Sequence, residues 1–332
     1  MANCIVEVQD LVKRYGENIA VDNISFSVSE GDFFGFLGPN GAGKTTTMRI
    51  LATLLRKTSG SVRIDGFDVD RQANEVRRAI GFAMQDTSLD NLASGYENLQ
   101  LLGVLYGLSP REARNRAKEL IELVGLSKVG GHWVNSYSGG MRRRLDLAGT
   151  LMHHPKLLFL DEPTQGLDPQ ARRMIWDYLR RLNLEGSTVF LTTHYMDEAD
   201  TLCRDLAFID RGKIVRQGTP EQLKSEMGGD VISLTFGQNV EMQNVEGKLR
   251  TTIGDLGSMT VNDHLIRITS PHAKELVPHL IQDLNAIQSA PLSLSISQAS
   301  LEDVFVKLVG RSILDDEAQL IKGRDPFVEG RR

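Results

Sequence analysis

The chain has 332 residues, 38 of them basic and 43 acidic, for a net charge of −5; that length suits two domains of roughly 100–200 residues or fewer, and the charge argues against a protein that grips nucleic acid by neutralising phosphates. No stretch approaches the roughly 20 consecutive apolar residues of a membrane helix, and the opening MANCIVEVQD lacks a basic region followed by an apolar core, so no secretory signal and a cytosolic location are expected. Cys4 and Cys203 have neither metal-ligand nor redox spacing and read as ordinary thiols in a reducing compartment.

Up to about residue 225, short apolar runs at 32–37, 80–84, 157–160 and 188–191 alternate with helical patterns. That alternation predicts an α/β fold with a largely parallel sheet covered by helices. The first run leads into Gly38-Pro39-Asn40-Gly41-Ala42-Gly43-Lys44-Thr45-Thr46 and then a helical pattern to about residue 55, which matches the G-x-x-x-x-G-K-[ST] phosphate loop in both residues and context. Glycines let backbone N–H groups converge on phosphate oxygens, and the helix N-terminus adds a favourable dipole. Lys44 is placed to neutralise β/γ charge and the Thr45 hydroxyl to ligate Mg²⁺.

Residues 86–150 read as a mostly helical insertion between two strands of the core, with breaks near residues 107–110 and 130–131. Inside it, Arg142, Arg143 and Arg144 stand in a row and are expected on a solvated helix face. The apolar run 157–160 then meets two carboxylates, Asp161 and Glu162. A continuous apolar run predicts a strand buried on both faces, and ligands sit at the C-terminal ends of such strands. Downstream of a phosphate loop, Asp161 is a candidate to bind Mg²⁺ through water and Glu162 a candidate general base for attack on a γ-phosphate. Met174, Ile175, Tyr178, Leu179 and Leu182 recur at helical spacing, so this segment is predicted to lie on the sheet as an amphipathic helix.

After Gly228–Gly229 the pattern changes to strands at 231–236, 264–268 and 292–296 and helices at 273–285 and 301–309, a small α+β domain. The expected division is therefore residues 1–228, 229–310 and a charged, aperiodic tail, 311–332, for which disorder is the expectation.

Phosphate loops occur in many motors, and Tyr137-Ser138-Gly139-Gly140-Met141 is the discriminating stretch: it resembles the LSGGQ signature of ABC ATPases. Tyr15, the phosphate loop, Gln85, this signature, the Asp161–Glu162 pair, Gly166-Leu167-Asp168 and His194 fall in that family's order. The resemblance implies a P-loop NTPase fold of the ABC nucleotide-binding type, a RecA-like core with antiparallel β and helical subdomains. It implies ATP and Mg²⁺ as cofactors, with Thr45, Gln85 and Asp161 toward the metal and Glu162 and His194 catalytic. It assigns Tyr15 to the adenine, residues 38–46 and Gln85 to the nucleotide, Asp168 to the inter-subunit loop, and Ser138, Gly139 and Gly140 to the nucleotide held by a second copy. A homodimer closed around two sandwiched ATP molecules follows. Tyr137 and Met141 depart from the pattern, but the Ser-Gly-Gly centre is intact, and activity is expected to survive.

The stretch 137–146 and Ala299-Ser300-Leu301-Glu302-Asp303-Val304-Phe305 are similar to daunorubicin-resistance-type exporter ATPases. This resemblance implies a separate transmembrane permease, a place on the cytoplasmic face of the membrane, a drug-like or amphipathic cargo and no nucleic-acid partner. A soluble ABC ATPase acting on ribosomes or nucleic acid, or a motor for lipid, polysaccharide or sodium export, is the alternative. One nucleotide-binding half per chain and the absence of a long heptad arm favour the transporter.

Overall fold

The first hairpin, β1 (Cys4–Tyr15) and β2 (Asn18–Ser29), is antiparallel and interrupted by several register shifts. Next come β3 (Phe33–Leu37), α1 (Lys44–Leu51), β4 (Ser59–Ile64), β5 (Phe67–Asp68), α2 (Ala73–Ala79) and β6 (Ile80–Ala83). Three helices make the insertion, α3 (Gly95–Leu105), α4 (Pro110–Leu123) and α5 (Gly139–Thr150). The first two open on full capping boxes, Ser94 with Glu97 and Ser109 with Glu112, each satisfying two otherwise unpaired N–H groups at the helix start. The chain returns through β7 (Leu157–Asp161), α6 (Pro169–Leu184), β8 (Thr188–Thr193), α7 (Met196–Leu202), β9 (Asp205–Asp210) and β10 (Lys213–Gly218). The computed structural model describes residues 4–84 and 88–309, which form two units dividing between Gly218 and Thr219.

Within the first unit, β2-β1-β4-β5 form one sheet and β10-β9-β3-β8-β7-β6 another. In the second sheet β9, β3, β8, β7 and β6 run parallel, and β10 pairs antiparallel at the edge. Every residue of β3, β7 and β8 is buried, which is why these strands read as unbroken apolar runs rather than alternating ones. Phe190 joins the two sheets: its ring centroid lies 5.4–6.0 Å from those of Phe26, Phe34, Phe36 and Phe159. Such offset and tilted pairs add about 0.5–1.5 kcal/mol each beyond the area they bury.

The α/β core thus stands as expected, and the antiparallel sheet matches the subdomain the family resemblance implies. The helix expected at 174–182 is longer, because Asp168 caps it at one end and Pro169 occupies its first turn, where a missing N–H costs nothing.

The second unit holds α8 (Pro220–Ser225), β11 (Asp230–Thr235), α9 (Met242–Ile253), β12 (Ser258–Asn262), β13 (Leu265–Ser270), α10 (Ala273–Ala286), β14 (Ser293–Ser297) and α11 (Leu301–Val309). Its sheet is antiparallel in the order β12-β13-β11-β14. Val245, Leu249 and Ile253 of α9 and Leu276, Leu280 and Leu284 of α10 share a core with Ile232, Leu234, Ile266 and Ile268. The Gly228–Gly229 break lies inside this unit, between α8 and β11, because α8 packs on α11. The tail expected at 311–332 lies outside the described residues.

Candidate functional site

Three neighbouring parallel strands deliver the site. β7 and β3 both pair with β8, so their C-terminal ends lie side by side, the position where open α/β sheets bind ligands. From the end of β3 comes the phosphate loop. A Cβ on Gly38 would meet the Ile209 carbonyl at 2.1 Å, and Gly43 caps α1 at φ 110°, where a Cβ would meet the Ala20 carbonyl at 2.6 Å; neither position admits a side chain. The loop and α1 wall a cavity of about 310 Å³ lined by Pro39, Asn40, Gly41, Gly43, Lys44, Thr45 and Thr46, closed by Ala20, Glu162 and Gln165.

Lys44 is only 5% exposed. Its ammonium donates to the carbonyls of Gly38 at 2.7 Å and Pro39 at 3.2 Å and lies 3.5 Å from Glu162 Oε1. Burial lowers its pKa, opposed by the Glu162 and Asp161 charges. The other Glu162 oxygen lies 3.2 Å from His194 Nδ1. Burial pushes the Glu162 carboxyl up, but the His194 contact and the Lys44 charge together outweigh it and leave its pKa below the usual value. Glu162 is also held at φ 47°, a left-handed conformation that non-glycine residues keep only when their surroundings impose it. Here its N–H donates to the Thr192 carbonyl at 3.1 Å and to the Thr192 hydroxyl at 3.2 Å.

Asp161 Oδ1 accepts from Thr45 Oγ1 at 3.3 Å and from Thr192 Oγ1. Among the described residues no cluster of three or more His, Cys, Asp and Glu side chains forms a metal cage. Two hard oxygen donors side by side nevertheless suit Mg²⁺, which keeps several waters and is held through one or two protein groups plus substrate phosphates.

The signature lies elsewhere on the same unit. Ser138 caps α5, its hydroxyl accepting from Met141 N at 3.3 Å. Ser138 and Gly139 are exposed, and a Cβ on Gly139 would meet nothing within 4 Å. Tyr137, by contrast, is buried and donates to the Val129 carbonyl at 2.8 Å, fastening the signature to the connection between α4 and α5. Asp168 is exposed and caps α6 through Ala171 N at 2.8 Å. Tyr15 is half-exposed at the tip of the first hairpin with Lys13 against its ring. None of these residues lines the phosphate cavity of their own chain, and Gln85 lies outside the described residues.

The family model described as ABC transporter matches residues 21–165, from β2 to the cavity-lining Gln165. A daunorubicin resistance ATP-binding protein of Streptomyces coeruleorubidus is 40% identical over 317 residues, which span 95% of this chain and 98% of that protein. The chain belongs to the ABC transporter family. Nearly as similar to this ABC subunit is a Nod factor export ATP-binding protein of Ralstonia nicotianae, 39% identical over 94% of this chain and 95% of its own. Among solved structures, a dimeric ATP-binding cassette in a post-hydrolysis state with ADP and Pi superposes with a TM-score of 0.59 at 29% identity, covering 64% of this chain and 98% of that one.

Sequence reasoning about this ABC ATPase missed Thr192, whose hydroxyl serves both acids; its place two residues before His194 at the end of an apolar run is the signal that points to it. The arginine row needs correction. Arg142 donates to the carbonyls of Val134 and Asn135, and Arg144 to that of Val124 at 2.7 Å. Arg143 is buried, not solvated, and meets backbone carbonyls from two other segments. Arg143 is turned inward, where its guanidinium N–H groups meet backbone carbonyls at and just beyond the ends of β6 and β7, acceptors that a planar fork of N–H donors can reach together.

Proposed function

We propose that this ABC ATPase is the motor of an exporter, converting ATP-driven closure of a homodimer into efflux of a drug-like or amphipathic molecule through a separate permease. The observation that carries the reading is Glu162, braced between Lys44 and His194 on the wall of the phosphate cavity. In this reading the loop N–H groups and Lys44 bind the phosphates. Glu162, ionised at neutral pH, orients the attacking water and takes its proton, and His194 holds the carboxylate and faces the γ-phosphate. Thr45 and Asp161, with Gln85, would hold Mg²⁺, which when bound neutralises charge on the β/γ oxygens. Tyr15 would stack on the adenine.

Ser138, Gly139 and Gly140 would meet the nucleotide of a second copy, with Asp168 near the same junction. Exposure of the Ser138 cap and the free space over Gly139 support that assignment, since a helix N-terminus attracts anions and the phosphate cavity of its own chain is lined by other residues. The permease is supported by the apolar side chains that α3 leaves exposed, Leu101, Val104, Leu105 and the adjoining Tyr106, a grouping that marks interaction surfaces. No described helix is long and apolar enough to cross a membrane, so a membrane partner must supply the path, and the motor would work at the cytoplasmic face. Similarity of 40% and 39% to a drug-resistance and a Nod factor protein fits a cargo chosen by the permease.

The test is Glu162→Gln. ATP binding is expected to survive while hydrolysis falls at least about 100-fold, as when a general base worth roughly 10²–10⁴ is lost. Purified with ATP from solubilised native membranes, the same variant is expected to bring down a polytopic protein in stoichiometric amount. Near-normal hydrolysis would overturn the catalytic assignment, and ribosomal or nucleic-acid partners would overturn the exporter.

A further inference from the structure

Glu162 keeps a strained backbone, and the carbonyls on either side of it converge on one side chain. Arg143, in the second turn of α5 and 5% exposed, donates Nη2 to the Asp161 carbonyl at 3.1 Å and Nε to the Pro163 carbonyl at 2.8 Å. Its Nη1 donates to the Met84 carbonyl at the end of β6 and lies 3.3 Å from Asp146 Oδ2. Asp146 in turn accepts from the Ser88 N–H at 3.3 Å through its other oxygen. One guanidinium thus ties the signature helix to the carbonyls of both residues that flank Glu162 and, with Asp146, to Met84 and Ser88.

A buried cation this well satisfied is costly to assemble, and a lysine could not reproduce it: a single nitrogen cannot span four acceptors on three segments as a planar fork with five N–H donors does. Bracing of Glu162 is what the expenditure achieves, because a left-handed glutamate persists only where its neighbours over-determine it. We propose that Arg143 is a positioning residue for ATP hydrolysis, holding the Glu162 carboxylate in register from the signature helix of the same chain. The inference rests on the reading of Glu162 as the group that activates water. It gives the signature helix a second task besides contact with a partner's nucleotide: displacing its second turn would move the hydrolytic carboxylate of its own site.

The experiment uses the full chain, with Arg143→Lys and with the double variant Arg143→Met/Asp146→Leu, which leaves no buried carboxylate unpaired should the single variant fail to fold. Each is made alone and in a Glu162→Gln background, with melting temperature, affinity for MgATP and single-turnover hydrolysis measured. Affinity within about threefold of wild type is expected, with hydrolysis slowed roughly 10- to 100-fold, the size of effect that a displacement of about 1 Å at a reacting group produces. With Glu162→Gln already present, the further change should lower the residual rate less than about twofold, because Arg143 acts through the carboxylate already removed. Wild-type turnover in either folded variant, or a full multiplicative loss on top of Glu162→Gln, would overturn the inference. Near-wild-type turnover in Glu162→Gln alone would overturn the hydrolytic reading first, and this inference with it.

Discussion

The phosphate loop and the signature are both helix N-termini opened by small residues, yet their surroundings differ completely. At the first, α1 starts on Gly43 with no side-chain cap, and Lys44, Asp161, Glu162, Thr192 and His194 crowd around it from three strand ends. At the second, Ser138 satisfies Met141 N within its own turn and stays exposed beside Gly139. The first site has its counter-charges built in and, in the proposed reading, its base. The second offers a helix N-terminus that lines no part of the phosphate cavity, and in the proposed reading it is half of a site. On the proposal of a sandwiched homodimer, chemistry is assembled within one chain, whereas the permission to perform it comes from another.

The largest effect should come from emptying the complete side. Lys44→Met removes the buried ammonium between the loop and Glu162, and a loss in hydrolysis of about 10²–10³ is expected, comparable to deleting one preorganised charge-stabilising donor, together with weaker nucleotide binding by isothermal calorimetry. Undiminished turnover would mean that the phosphates lie elsewhere. Gly139→Asp attacks the incomplete side. The position has room for a side chain, and an acid in the first helical turn suits the dipole, so melting temperature and the monomer's affinity for ATP should hold. A carboxylate facing a partner's phosphates costs on the order of several kcal/mol, so ATP-dependent dimerisation by sedimentation should vanish and hydrolysis should fall at least about tenfold. A variant that still dimerises would erase the distinction between the two sites.

Contiguous chemistry was legible in the sequence and tertiary convergence was not. Nine residues in a row, 38–46, specify a phosphate loop because its cradle is made from its own backbone, and the runs before Asp161 and Thr192 announce strands buried on both faces. Arg143 reads as one charge among three, since its carbonyl partners stand 18 to 59 positions away. The first hairpin received no strand assignment although residues 24–28 alternate apolar and polar with alternating burial, the period-2 signal of a half-buried strand. In the second unit, α9 escaped notice with Gly247, Thr251 and Thr252 diluting its helical preference; only Val245, Leu249 and Ile253, spaced by four, carry its buried stripe. β12 is five residues long with just Met259 and Val261 turned toward the core.

The smallest effect tests how the complete side holds its charge. Glu162 is pushed up by burial and brought below its usual pKa by His194 and Lys44. A carboxylate whose folded pKa lies below its unfolded value, about 4.3, contributes stability that is fully present above that value and is lost as pH falls through the folded one. His194→Ala removes the largest of the lowering contacts and leaves burial in place, so the Glu162 pKa should rise. A carbon-detected titration of the Glu162 carboxyl in the nucleotide-free protein measures this directly, and the midpoint should move to higher pH in the variant while the Lys44 charge keeps the group ionised at neutrality. If the midpoint stays where it is in the wild type, the Lys44 ammonium alone sets the charge on Glu162, and His194 is free to serve the phosphate rather than the base.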